Sequence, residues 1–117
     1  MGIIYHLTSR EGWAAGQAAG EYAAPSLADE GFIHCSGDED QTLRVAQRLY
    51  AGLADLLVLD VETGKLNAEV KREISARSGE MYPHVYGTIN LDAVVRVREL
   101  ALDSEGKHTI SREPAND

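Results

Sequence analysis

Asp55-Leu56-Leu57-Val58-Leu59-Asp60-Val61 is the most apolar run in the chain, and its length and its bounding glycines, Gly52 and Gly64, read as a strand and not a helix. Apolarity without a period-2 alternation calls for cover on both faces, so this strand belongs at the centre of a sheet. What surrounds it narrows the fold class. Before it, Ile3 to Thr8 reads as an interior strand rich in β-branched and aromatic residues. Ser9 then caps a helix over 10–19 that stops at Gly20. Two glycines inside that helix, Gly12 and Gly16, each cost about 1 kcal/mol relative to Ala, so packing has to hold it, with Trp13 as anchor. Residues 21–30 read as a loop with one turn from Ser26 to Asp29, and 31–36 as a short strand. Asp38 or Asp40 caps a helix over 39–51 whose apolar positions Leu43, Ala46, Leu49 and Tyr50 lie on one face.

After the apolar run come Val70 to Ile74, His84 to Ile89 and Val94 to Leu100, all strand-like, with an exposed loop at 75–80 and no helix between them. Helices confined to the first half and consecutive strands in the second give an α+β domain with an antiparallel or mixed sheet, not a doubly wound parallel one. The domain is expected over 1–102, and 103–117 reads as a polar tail with at most one β segment near His108–Ile110.

At 117 residues there is material for one core. No apolar run approaches the roughly 20 residues that span a bilayer, and the first residues lack a basic leader and a long apolar segment. The net charge of −8 argues against a phosphate backbone as partner, although Arg44, Arg48, Arg72, Arg77, Arg96 and Arg98 are available for a local basic pocket. A single cysteine, Cys35, rules out an internal disulfide and fits a cytoplasmic location.

Three stretches concentrate chemically capable side chains. Ile3–Ser9 sets His6 and Thr8 on one strand face. Gly31-Phe32-Ile33-His34-Cys35-Ser36 repeats the pattern, with His34 and Ser36 on one face, Phe32 behind them, and Ile33 and Cys35 opposite. Gly79–Gly87 adds His84 and Tyr86 on a shared face, with Pro83 fixing the approach to His84. Glu73 or Glu80 could bring a carboxylate to the same pocket. Each has a purely structural alternative: a His bonded to a nearby carbonyl, a Glu solvated at the surface. Ser36 lacks the G-x-S-x-G elbow of a nucleophile, Cys35 reads as a small buried apolar residue, and the histidines lack the short-spaced pair typical of zinc sites.

Taken in order, I-Y-H-L-T-S, a Trp, Gly20-Glu21-Tyr22, E-G-F-I-H-C-S, L-L-V-L-D-V and Y-P-H-V-Y-G closely resemble the DUF952 family over about residues 3–100. That family is similar in turn to the ADP-ribosyltransferase fold of RNA 2′-phosphotransferases and poly-ADP-ribose polymerases. The resemblance implies split mixed or antiparallel sheets with two main helices in the first half, and NAD or an ADP-ribose-like compound as cofactor or ligand. Tyr5-His6-Leu7-Thr8 stands for the first-strand motif that grips the NAD ribose and amide, with Leu7 where that motif has Gly. Ile33-His34-Cys35-Ser36 stands for the later motif on the nicotinamide side, and the third position, often Glu, falls near Glu80 to Tyr86.

On this reading His34, His84 and Glu80 are the catalytic candidates, and His6, Thr8, Ser9, Ser36, Tyr86 and Glu73 hold a small-molecule ligand. A catalytically inactive binding or interaction module on the same fold is the alternative.

Overall fold

The computed structural model describes residues 2–114. Its organising strand is the apolar run, which lies between two antiparallel neighbours. Strand β1 (Ile3–Ser9) is followed by helix α1 (Arg10–Ala19), a two-residue strand β2 (Glu21–Tyr22), helix α2 (Pro25–Glu30), strand β3 (Ile33–His34) and helix α3 (Glu39–Tyr50). Then come β4 (Leu56–Glu62), β5 (Glu69–Ile74), β6 (Met81–Tyr86), β7 (Ile89–Asn90), β8 (Val94–Leu102) and β9 (His108–Pro114). The fold is α+β, with all strand pairs antiparallel: a four-stranded sheet β1-β4-β8-β9, a three-stranded sheet β3-β6-β5 and a two-stranded ribbon β2-β7.

Alternation along β4 supplies both layers of the core. Leu57, Leu59 and Val61 face Ile4, Trp13, Ile33, Val85 and Ile89, which fill the space between the large and small sheets. Leu56 and Val58 face the other way, onto Ala46 of α3 and Leu100 of β8. On that same face Asp60, only 2% exposed, meets Arg98 at 3.0 Å and Arg96 at 3.0 Å, and Arg98 reaches on to Glu39 at 2.9 Å. This buried ion group ties the first turn of α3 to the sheet.

The local signals at the two long helices hold. Ser9 caps α1 by accepting from the Gly12 amide, Gly20 closes it in the left-handed region, and Asp38 caps α3 by accepting from the Gln41 amide. Gly16 lies against Tyr22, where an added Cβ would meet the Tyr22 Cα at 3.1 Å. The internal glycine that weakens α1 is what lets the helix close on β2.

Other expectations are corrected. β1 is an edge strand of the large sheet, not an interior one, because its outer side is bridged only at Tyr5 to Ser36. The expected loop at 21–30 contains β2 and α2, the latter started by Pro25 at its first position and closed by Gly31. The strand expected over 31–36 stops at His34. The strand expected over 84–89 divides at Gly87 and Thr88, sending β6 to the small sheet and β7 to the ribbon. Leu49, placed on the packed face of α3, is 56% exposed, whereas Gln41 and Thr42 are buried. The β segment near His108 is β9, which pairs along β8 within the large sheet. Among the described residues no helix is long and apolar enough to cross a membrane.

Candidate functional site

Between β1, residues 34–36, the last turns of α3 and the turn after β5 lies a cleft of about 550 Å³. It exists because β3 is short. After pairing with β6 at His34, the chain leaves the small sheet and crosses to the edge of β1, where Tyr5 N donates to Ser36 O at 2.9 Å and Ser36 N donates to Tyr5 O at 2.7 Å. His6, His34, Ser36 and His84 all line the cleft, together with Tyr22, Tyr50, Tyr82, Arg48 and Arg77.

His6 forms the inner wall and is 7% exposed. Its Nδ1 lies 2.6 Å from the His34 carbonyl oxygen, so that nitrogen carries the proton and donates. Its Nε2 lies 2.8 Å from Tyr22 Oη, which in turn lies 3.0 Å from Thr8 Oγ1. Burial pushes the His6 pKa down to about 4, so at neutral pH the ring is uncharged and Nε2 accepts. The Tyr22 hydroxyl therefore points at Nε2, and Thr8 donates to Tyr22. Thr8 is thus bound into this chain behind His6, with Tyr22, carried by β2 and backed by Gly16, as its central link.

His34 and His84 are direct cross-strand partners in the β3–β6 register, with ring centroids 5.3 Å apart. Phe32 stacks on His84 at 4.1 Å and meets the Tyr86 ring at 5.3 Å, so Phe32, His34, His84 and Tyr86 occupy one face. Glu73 of β5 completes that face: its Oε1 accepts from His84 Nδ1 at 2.7 Å and from Tyr86 Oη at 2.6 Å. These two bonds, that from Tyr86 first, hold the Glu73 carboxyl below its usual range, and the same bond raises the Tyr86 phenol. An ionised Glu73 only accepts, so Nδ1 of His84 holds the proton, and Nε2 has no hydrogen-bond partner among the described residues. His34 makes a solvent-exposed contact from Nε2 to Glu30 at 2.9 Å.

Of the remaining candidates, Ser9 and Glu80 lie outside the cleft lining and Ser36 is on it. Ser9 is occupied as the α1 cap. Glu80 accepts from Arg44 at 2.6 Å, from Gln41 at 3.3 Å and from Tyr82 at 3.4 Å, and the Arg44 contact in particular holds its carboxyl low. Ser36 is buried and does not share the outward face with His34, because the strand ends before it. Burial raises the Cys35 thiol to about 12, which keeps it protonated and inert. Among the described residues no group of three or more His, Cys, Asp or Glu is placed to hold a metal ion; both His6 ring nitrogens are taken by protein groups. Tyr22 and Phe32 as ring partners of the histidines were not legible as site residues, since only cross-strand register and the α1–β2 closure bring them in.

Residues 7–97 match the family model described as "Protein of unknown function (DUF952)". Among solved structures, the crystal structure of protein CC0527 from Caulobacter crescentus is similar at a TM-score of 0.79 and 37% identity, covering 92% of this chain and 93% of that one. The solution NMR structure of CC0527 is similar at a TM-score of 0.77 and 34% identity, covering 92% and 91%. No curated protein matches. These matches bear on family and fold; the wider likeness to ADP-ribosyltransferases has no counterpart among them.

Proposed function

The chain belongs to the DUF952 family, and from that premise we propose that it binds a small organic molecule in the cleft, with His84 as the group that exchanges a proton with it. The observation that carries this reading is the convergence of His6, His34 and His84, from three separate stretches, on one cleft of about 550 Å³, a size suited to a small ligand. The three differ in what they can do. His6 has both ring nitrogens committed to protein groups, so it shapes the wall. His84 is held at Nδ1 by Glu73, the arrangement that fixes an imidazole in one tautomer and leaves the far nitrogen to act as acid or base. Phe32 stacked on its ring limits rotation. Glu73 and Tyr86 are positioning residues on this account.

A second reading is an ADP-ribosyltransferase-like site for NAD or an ADP-ribose derivative. Its support is the direct pairing of the two motif stretches through Tyr5 and Ser36 at the cleft wall. Against it, Leu7 stands on the cleft lining where the motif has a glycine, and both ring nitrogens of His6 are taken by protein groups.

Titration of the protein with a library of small polar and aromatic compounds, including NAD, ADP-ribose and nicotinamide, separates these readings. A ligand at 100 times its Kd stabilises by about 2.7 kcal/mol, readable as a rise in Tm. The proposal expects at least one compound to raise Tm, to perturb the amides of His34, Ser36 and His84, and to bind at least roughly tenfold more weakly to H84A. Binding confined to NAD and ADP-ribose favours the second reading. A library that moves none of these amides refutes both.

A further inference from the structure

We propose that the cleft's ligand is an organic phosphate whose phosphate group is held by Arg48 of α3 and Arg77 of the β5–β6 turn; this deepens the small-molecule reading above and rests on it. The starting observation is charge segregation. The chain carries 19 Asp and Glu against 11 Lys and Arg, yet the cleft lining includes no Asp or Glu and does include two arginines and three histidines. Glu73 and Glu30 sit behind His84 and His34 and outside the lining, so the formal charges on the lining itself are the two guanidiniums, which favour an anion.

The two arginines are also uncommitted. Arg10, Arg44, Arg96 and Arg98 each pair with a carboxylate, whereas neither guanidinium of Arg48 and Arg77 has a carboxylate partner among the described residues. Glu80 could have neutralised them from the same turn. It is bound instead by Arg44, one helical turn before Arg48, and by Gln41 and Tyr82.

The chemical class follows from donor capacity and from the rest of the wall. Two guanidiniums offer about ten N–H donors, more than the roughly four acceptor sites of one carboxylate can use, and a phosphate with its higher charge matches them better. Next to Arg48 in the chain are Leu49, 56% exposed, and Tyr50, and Leu7 and Tyr82 also line the cleft. These surfaces suit an aromatic or apolar body, so the ligand is an organic phosphate and not the free ion.

NMR titration of the full chain with phenyl phosphate, inorganic phosphate, benzoate and phenol, at constant ionic strength with chloride as the balancing anion, tests this. The expected result is saturable shifts of the Arg48 and Arg77 side-chain Nε–H signals with phenyl phosphate, tighter than with inorganic phosphate or benzoate, and none with phenol. Affinity should fall roughly tenfold in R48Q and in R77Q and be lost in the double variant. Both side chains are exposed, so the variants keep the wild-type Tm. Absence of saturation at tens of millimolar, benzoate binding as tightly as phenyl phosphate, or undiminished affinity in R48Q/R77Q overturns the inference. Failure here alongside uncharged library compounds that bind at His84 removes the phosphate and leaves the small-molecule reading standing. Phosphate binding that H84A does not weaken removes His84 and leaves the arginine pair.

Discussion

Replacing His6 by Gln tests whether this histidine is a buried neutral strut, and the size of the effect follows from its surroundings. Burial lowers its pKa from 6.5 to about 4 in the folded chain. In the unfolded chain the ring takes a proton below about 6.5, so between the two values the unfolded state binds more protons and stability rises with pH. The contribution is fully present above about pH 6.5 and is lost as pH falls towards 4. With these two constants the loss between pH 7.5 and pH 5 is about 2 kcal/mol, and the whole shift is worth about 3 kcal/mol. Glu73, Glu80 and Asp103 also have lowered carboxyl pKa values, but their share is lost at lower pH, so an endpoint at pH 5 keeps most of it out. The assay is urea unfolding of wild type and H6Q at pH 7.5 and pH 5. H6Q carries a pH-independent cost for the Tyr22 and His34 carbonyl contacts, which cancels in the comparison. Wild type should lose about 2 kcal/mol more than H6Q between the two pH values. Equal losses would mean that His6 titrates normally in the folded protein, and the neutral-strut argument, with the tautomer and hydroxyl directions built on it, would fall.

Three further outcomes are expected. D60A leaves Arg98 buried with Glu39 alone and should cost about 3 kcal/mol in urea unfolding; a cost under about 1 kcal/mol would mean the ion group does not anchor α3. G16A gains about 1 kcal/mol of helix propensity but drives a Cβ onto the Tyr22 backbone, for which overpacking costs about 1–3 kcal/mol, so its Tm should fall; a rise would show that α1 can shift without loss. E73Q replaces the carboxylate whose hydrogen bond first, and then its charge, raise the Tyr86 phenol, so Tyr86 should ionise at lower pH in an NMR titration, and the His84 ring should lose its Nδ1–H preference in ¹⁵N spectra; unchanged signals would detach Glu73 from both.

How much of this was legible in the sequence depends on the range of the interaction that decides each feature. Local signals carried the two long helices: Ser9, Gly20 and Asp38 act within one turn, and α1 starts and stops, and α3 starts, where those residues require. The run at 55–61 announced burial on both faces because a strand's cover is written in its own alternation, and β4 is indeed buried along both faces. The three histidine stretches pointed to a common cleft because their pattern repeated. What failed was extrapolating strand periodicity past the strand. His34 and Ser36 alternate correctly, yet the chain leaves the small sheet between them to reach β1, and no residue at that point marks the change of sheet. Leu49 matched a helical period but faces the cleft, where an apolar side chain near solvent reads the same as one in the core.

The two carboxylates show most clearly why a residue type in the right stretch does not establish its role. Either Glu73 or Glu80, seven positions apart on either side of a turn, could bring a carboxylate to the pocket, and Glu80 was expected to be the catalytic one, with Glu73 holding the ligand. The β5–β6 register decides between them: it sets Lys71 opposite His84 and Glu73 opposite Tyr82, which leaves Glu73 one diagonal step from His84 and within reach of its Nδ1. Glu80 emerges at the far end of the same hairpin, beside Arg44 of α3. Its capture there takes negative charge out of the cleft as surely as Glu73's bond brings it to the back of His84. One hairpin register thus sets Glu73 against His84 and leaves Glu80 to Arg44, and shifting β5 by one residue would turn Glu73 to the opposite face.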